Sequence, residues 1–355
     1  MSLSIIIAAV IALAVAEYFW APYALRAIRL RSSTDKIMAE PGETITLIST
    51  VENHARLPIP FVRVHERLPF EAQIQGDPQW IKTHCQQGIR KWYVEEKLSL
   101  KSRQRSQCHI QFSLPARGVY SVGDHVIGAG DLLGFREALK NGTGKPMVII
   151  PARSKNHKAL QALGGFLGDV SVRRFILEDP ILTVGFRDYT GREPMKSISW
   201  TRTAVTGALQ VKQFDHTAEQ NITVLLNTEG GSHESLEECF RLMRTVSETL
   251  EQKKIPYAMR TNGNLPGPVG KIFSLASGLG SRHMNTLLYA LGRADHTCYR
   301  SFRYLVTQTL RNRKSNESYI VITPKLDAET MSLIHQLDQA VGNPVCVLSG
   351  EEAMQ

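Results

Sequence analysis

Cysteine is scarce in this chain: Cys85, Cys108, Cys239, Cys298 and Cys346 are the only five in 355 residues. The number is odd, the spacing is irregular and no C-x-x-C occurs, which argues against a disulfide framework and suits a reducing compartment. The pairs His84-Cys85 and Cys108-His109 do not make a zinc site, because neighbours on a strand point to opposite faces. Acidic residues are outnumbered, 33 Asp and Glu against 42 Lys and Arg, giving a formal net charge of +9. That excess is spread along the chain and no nucleic-acid motif accompanies it. A basic surface beside an anionic bilayer is expected, and no nucleic acid partner. Catalytic signatures are missing as well. No H-E-x-x-H occurs, and Gly270-Lys271 fails as a phosphate loop, with Leu265 at the first glycine position and Ile272 at the hydroxyl position. Gly128-Ala129-Gly130 with Gly134 lacks a strand–helix–strand context and reads as turn glycines.

Only one long hydrophobic run is present. Leu3 to Ala16 is apolar except for Ser4; Glu17, an aromatic cluster from Tyr18 to Tyr23, and then Arg26, Arg29 and Arg31 follow. Residues 3–25 reach the ~20 apolar residues that a spanning helix needs. Ala14-Val15-Ala16 has the shape of a signal-peptide cleavage site, but no basic residue precedes the run. The expectation is an uncleaved transmembrane anchor, a cell-membrane location with a single pass, and a cytoplasmic body set by the Arg cluster.

Two folded regions follow. Glu43–Val51, Phe61–His65, Lys91–Glu95 and Cys108–Leu114 alternate, carry β-branched and aromatic residues and have turn signals between them, so residues 33–150 read as an all-β, sandwich-like domain. From 216 to 355 the pattern changes. Asn221–Asn227 and Tyr319–Thr323 are nearly continuous apolar runs, as in strands buried on both faces. Between them, Ser235 and Glu238 form an S-x-x-E capping signature, and Leu236, Cys239, Phe240, Met243, Val246 and Leu250 recur at helical spacing. Ile255–Arg260, a helix at Thr330–Val341 and a strand at Val345–Leu348 complete a doubly wound α/β reading. The expected organisation is therefore multidomain: an anchor at 1–32, the β domain at 33–150, a linker at 151–215 and the α/β domain at 216–355.

The linker holds the most distinctive stretch: Arg187-Asp188-Tyr189, then Gly191, Arg192, Glu193, Lys196, Ile198, Trp200, Thr203 and Ala204. It resembles the signature of the domain of unknown function 58 family, roughly R-[DE]-Y-x-x-G-D-x-x-[RK]-x-I-x-W-K-x-[ST]-A. Arg117-Gly118-Val119-Tyr120 and Asp131-Leu132-Leu133-Gly134-Phe135 resemble that family's R-G-x-Y and D-x-x-G-[LF] segments. The glycine stands one place early, Glu193 replaces Asp and Thr201 replaces Lys. The resemblance implies a von Willebrand factor A-like C-terminal domain. It also implies a bacterial, membrane-anchored scaffold or adaptor that works with a MoxR-type AAA+ ATPase or a transglutaminase-like membrane protein in envelope assembly or protein maturation.

Von Willebrand A-like domains hold Mg²⁺ on a D-x-S-x-S loop after the first strand. Here the loop reads Asn227-Thr228-Glu229-Gly230-Gly231-Ser232, a degenerate version with no carboxylate first and no hydroxyl at Gly231. No cofactor is expected, and this loop is not expected to hold Mg²⁺. Arg187, Asp188, Arg192, Glu193 and Lys196 read as a structural ion-pair cluster rather than paired catalytic carboxylates. Ile198 and Trp200 are two apart and share a face if the segment is extended, with Ser197 and Ser199 on the other. That makes the signature a packed clasp with Arg187 and Lys196 turned to a partner. A metal-dependent hydrolase or processing enzyme is the alternative to a non-enzymatic scaffold.

Overall fold

The structure is a computed structural model. It describes residues 2–76, 81–86, 89–130, 137–142, 144–154, 161–168, 179–215, 221–264, 273–313, 317–341, 343 and 345–354. The chain divides into two compact units, Met1–Arg153 with Leu291–Arg293, and Ser154–Ala290 with Ala294–Gln355.

The first unit opens with helix α1 (Ser2–Ala27). Strands β1 (Ile28–Thr34), β2 (Thr44–Asn53), β3 (Ile59–Pro69), β4 (Gln73–Gln75), β5 (Ile81–Gln86) and β6 (Ile89–Leu100) follow. After them come β7 (Arg105–Ser113), β8 (Gly118–Ser121), β9 (Asp124–Gly130), β10 (Glu137–Asn141) and β11 (Met147–Ile150). They form an antiparallel β1-β2-β7-β4 sheet, an antiparallel β10-β9-β3-β6-β5 sheet and a β11-β8 pair. Along β2 buried residues alternate strictly with half-buried ones, as the period of two requires when one face meets a core. Ile45, Leu47 and Phe112 from the first sheet and Leu68 and Val94 from the second share one apolar cluster. Gly128 and Gly130 lie within β9, not in a turn as expected from sequence. A Cβ at Gly130 would stand 2.9 Å from that of Phe61, so this glycine lets a neighbouring side chain in close.

Inside this unit sits a buried polar group. The Glu66 carboxylate accepts from the Ser49 and Ser32 hydroxyls, and His125 Nδ1 stands 4.0 Å from its second oxygen. Burial pushes the Glu66 carboxyl up from its usual range, against the Ser49 hydrogen bond and the His125 charge. His125 Nδ1 also lies 2.6 Å from Gly123 O. Gly142 leaves room for the imidazole: a Cβ there would fall 1.7 Å from the ring.

The second unit has a helical stretch at 161–168, followed by β12 (Asp179–Asp188), a single 3-10 turn at Met195–Ser197, helix α2 (Trp200–Thr206) and β13 (Gln210–Asp215), with β12 and β13 antiparallel. Next come β14 (Asn221–Leu226), α3 (His233–Gln252), β15 (Tyr257–Thr261), β16 (Phe273–Gly278), α4 (Ser281–Arg293) and α5 (Phe302–Arg311). The unit ends with β17 (Glu317–Thr323), α6 (Ala328–Ala340), β18 (Val345–Ser349) and α7 (Gly350–Met354). Five strands form one sheet in the order β16-β15-β14-β17-β18. Every residue of β17 is buried, so both faces are covered there. Tyr319 and Val321 meet Phe302, Leu305, Leu333 and Leu337 of α5 and α6, and α3 packs on β14 and β17. The stripe read from the sequence, Leu236, Cys239, Phe240, Met243, Val246 and Leu250, is the buried face of α3.

The expected architecture needs two corrections. No helix among the described residues is long and apolar enough to cross a membrane, so the transmembrane anchor, the membrane location and the single-pass topology built on it fall. The apolar stretch Leu3–Ala16, broken only by Ser4, stops at Glu17 after 14 residues or about 21 Å of helix, against a ~30 Å hydrocarbon core. Beyond that point Glu17, Ala21 and Ala24 are buried, and α1 packs on β1, β9 and β10. The second correction concerns the doubly wound, von Willebrand A-like domain. The protein is a mixed, sheet-rich one: of the five sheets among the described residues, four contain only antiparallel pairs. The fifth is itself mixed, parallel at β14–β15, β14–β17 and β17–β18 and antiparallel at β15–β16. Apolar runs report that a strand is covered on both faces; they do not fix the direction of its neighbour.

Candidate functional site: the signature arm and the strand-end loop

The signature residues form a hairpin arm. Gly185, Phe186, Arg187 and Asp188 pair with Gln213, Lys212, Val211 and Gln210. The chain then turns at Thr190–Pro194, with Gly191 at φ +88°, a left-handed value that favours glycine. Thr190 closes the turn by donating from its backbone N (3.1 Å) and its hydroxyl (2.8 Å) to the Glu193 carboxylate. Arg187 Nη1 stands 2.5 Å from the same carboxylate. The Thr190 hydroxyl first, and Arg187 with it, hold the Glu193 carboxyl down to about 2. Asp188 is not part of that pair; it accepts from Gln210 Nε2. Tyr189, half-buried, donates its backbone N to Leu209 O at 2.9 Å. Of the expected ion-pair cluster, only Arg187 and Glu193 meet; Arg192 and Lys196 are exposed, with no ion-pair partner among the described residues.

The expected clasp is half right in its parts. Ile198 bridges to Val211 and both are buried. Trp200, however, is 60% exposed. Ser199 is the last extended residue, and its backbone N donates to Gln210 O (2.8 Å) before α2 begins at Trp200. The alternation of Ile198 and Trp200 therefore ends one residue before it would have buried the indole. Gly207, at φ +74°, ends the helix. Met195 (70%), Trp200 (60%) and Val205 (75%) stand out to solvent, and Ala204, one helical turn after Trp200, is exposed too. The Arg202 guanidinium lies 5.0 Å from the Phe186 ring centroid.

The loop after β14 is a closed polar network. Asn227, buried, donates from Nδ2 to Thr323 Oγ1 (3.1 Å) and accepts at Oδ1 from Asn262 Nδ2 (2.9 Å) and the Glu229 backbone N (3.0 Å). Glu229 Oε2 accepts from the Phe302 backbone N at 2.6 Å, at the start of α5. Ser232 Oγ caps α3 by accepting from Ser235 N (3.1 Å). The expected start at Ser235–Glu238 thus lies one turn late. Gly231 has a steric reason: a Cβ would come 2.5 Å from that of Pro324. Asn227 Oδ1, Glu229 Oε2 and Ser232 Oγ, the side-chain oxygens at the degenerate positions, each accept a hydrogen bond from the chain. The Asp131–Phe135 and Gly270-Lys271 segments lie outside the described residues.

No family model matches the chain, and no curated protein matches it. Among solved structures, the CARDB domain of a Pyrococcus furiosus protein is 11% identical over 35% of this chain and 94% of that one, with a TM-score of 0.23. The sporulation control protein Spo0M of Bacillus subtilis is 12% identical over 46% of this chain and 58% of its own, at 0.20. Salmonella alpha-2-macroglobulin is 11% identical over 35% of this chain and 9% of its own, at 0.25. These superpositions are too loose to define a shared fold.

Proposed function

We propose that this protein is a non-enzymatic adaptor that docks a protein partner through the arm at residues 185–209. One observation carries the reading. An indole, a thioether and a valine are presented to solvent within eleven residues, Met195, Trp200 and Val205, among the exposed cations Arg192 and Lys196. A lone exposed apolar residue is ordinary, but a Trp with neighbouring apolar and basic side chains is the composition of a binding hot spot. The arm is ordered by its own hydrogen bonds, so little conformational freedom is lost on docking. The complementary partner surface is acidic with an apolar cleft for the indole. The sequence resemblance supports a MoxR-type AAA+ ATPase as the class of partner, and a transglutaminase-like protein as the second member of the assembly.

The test uses the full chain and a purified MoxR-type AAA+ ATPase in a direct binding assay. Trp200→Ala and Lys196→Glu should each weaken binding at least about tenfold, the usual effect of removing a hot-spot side chain, while the melting temperature stays at that of the parent. Parent-like binding by Trp200→Ala, or no binding by the parent, overturns the proposal.

A further inference from the structure

We infer that His233, Glu237 and His296 form a binding site for a divalent transition-metal ion of the zinc class. This rests on residues that neither the arm nor the strand-end loop uses, and it stands independently of the adaptor reading. His233 is the first residue of α3, and Glu237 lies four residues on, so both side chains project from one face of that helix. His296 arrives from the segment after α4. Its position is fixed by its neighbours: Asp295 Oδ1 accepts from Thr297 N (2.8 Å), and Asn264 N donates to Thr297 O (3.0 Å). The His296 ring stacks on that of His233, centroids 4.0 Å apart and planes inclined by 26°, while Phe240 meets it edge-on. His296 Nε2 stands 2.7 Å from Glu237 Oε1. One ligand atom from each of the three side chains lies within 4.8 Å of the other two.

The donor set selects the ion. Two imidazole nitrogens and one carboxylate oxygen suit zinc, cobalt or nickel; a hard cation such as Mg²⁺ calls for an oxygen shell. Tetrahedral bonds of ~2.0–2.1 Å place donors about 3.3 Å apart. The Glu237–His296 pair is closer than that, and all three ligand atoms lie within 4.8 Å of one another, so side-chain rotation brings them to bonding positions. A plain ion pair accounts for Glu237 and His296 but not for a second imidazole stacked beside them. His233 is exposed, so an ion enters from solvent, and three protein ligands leave a fourth position for water. Glu234 and Glu237, in the first turns of α3, offset the positive end of the helix that a cation would otherwise oppose.

The experiment is a Co²⁺ titration of the chelator-treated full chain, followed by the visible absorption of the bound ion, with a Zn²⁺ calorimetric titration beside it. The expected result is one saturable equivalent, displaced by Zn²⁺ and untouched by excess Mg²⁺. Loss of an outer-shell partner typically costs 10–100-fold in affinity, so loss of a ligand in His233→Ala or His296→Ala should cost at least about 100-fold. His233 is exposed, so its replacement leaves the fold intact and decides the matter even if His296→Ala unfolds. No saturable binding by the parent, or parent-like affinity in His233→Ala, overturns the site.

Discussion

The β17 strand and the signature arm belong to the same unit and use apolar side chains in opposite ways. In β17 each side chain is buried, and Tyr319 and Val321 reach across to two helices. In the arm, β12 and β13 bury Ile198 and Val211 and leave Met195, Trp200 and Val205 outside. The sheet spends its hydrophobic surface on its own stability. The arm is held by backbone pairing and one Arg–Glu–Thr cluster and keeps its largest apolar groups available. Sequence composition alone does not separate the two cases, since both segments mix aromatic and β-branched residues; the separation lies in what covers them.

That contrast gives a graded series of tests. The largest effect belongs to the covered side. Phe240, fully buried on α3, should cost about 3–5 kcal/mol as Phe240→Ala, read as a lower urea midpoint. Next is Gly231→Ala, which drives a Cβ against Pro324 and should cost about 1–3 kcal/mol; the same midpoint measures it, and a parent-like value would mean the loop after β14 relaxes freely. On the uncovered side, Trp200→Ala should change stability by no more than about 0.5 kcal/mol. A large loss there would show that the indole is packed and would erase the contrast. The smallest effect is local and depends on pH. The Glu193 carboxyl is depressed, so its contribution to the turn is complete above the unfolded carboxylate range of about 4.3 and is lost as pH falls through about 2. The Thr190 amide signal in a nitrogen–proton correlation spectrum should titrate near that lower value and stop titrating there in Glu193→Gln. A midpoint in the ordinary carboxylate range would remove the cluster from the arm's support.

Much of the local structure was legible because it follows from period and punctuation. The α3 stripe and the runs at Asn221–Leu226 and Glu317–Thr323 are examples. Three expectations differ from the structure, two for local reasons and one because another part of the chain decides it. The S-x-x-E pattern points to Ser235 as the start of α3, yet Ser232, one turn earlier, makes the cap. The spacing to Ile198 points to an extended segment at Trp200, whereas Gly207, seven residues on, is a helix-ending glycine. The apolar run reads as a bilayer span because the sequence does not show that Ala21 and Ala24 are buried in the first unit. The His233–Glu237 spacing was visible in the sequence, but His296 joins them only through the fold.

The void beside Gly142 has a consequence for how this protein can vary. The His125 imidazole occupies the space that any side chain at 142 would fill, so the two positions form one steric unit. A related chain with a larger residue at 142 must carry a smaller one at 125, and it then loses the imidazole facing Glu66. Positions 66, 125 and 142 should therefore change together along a lineage, or not at all.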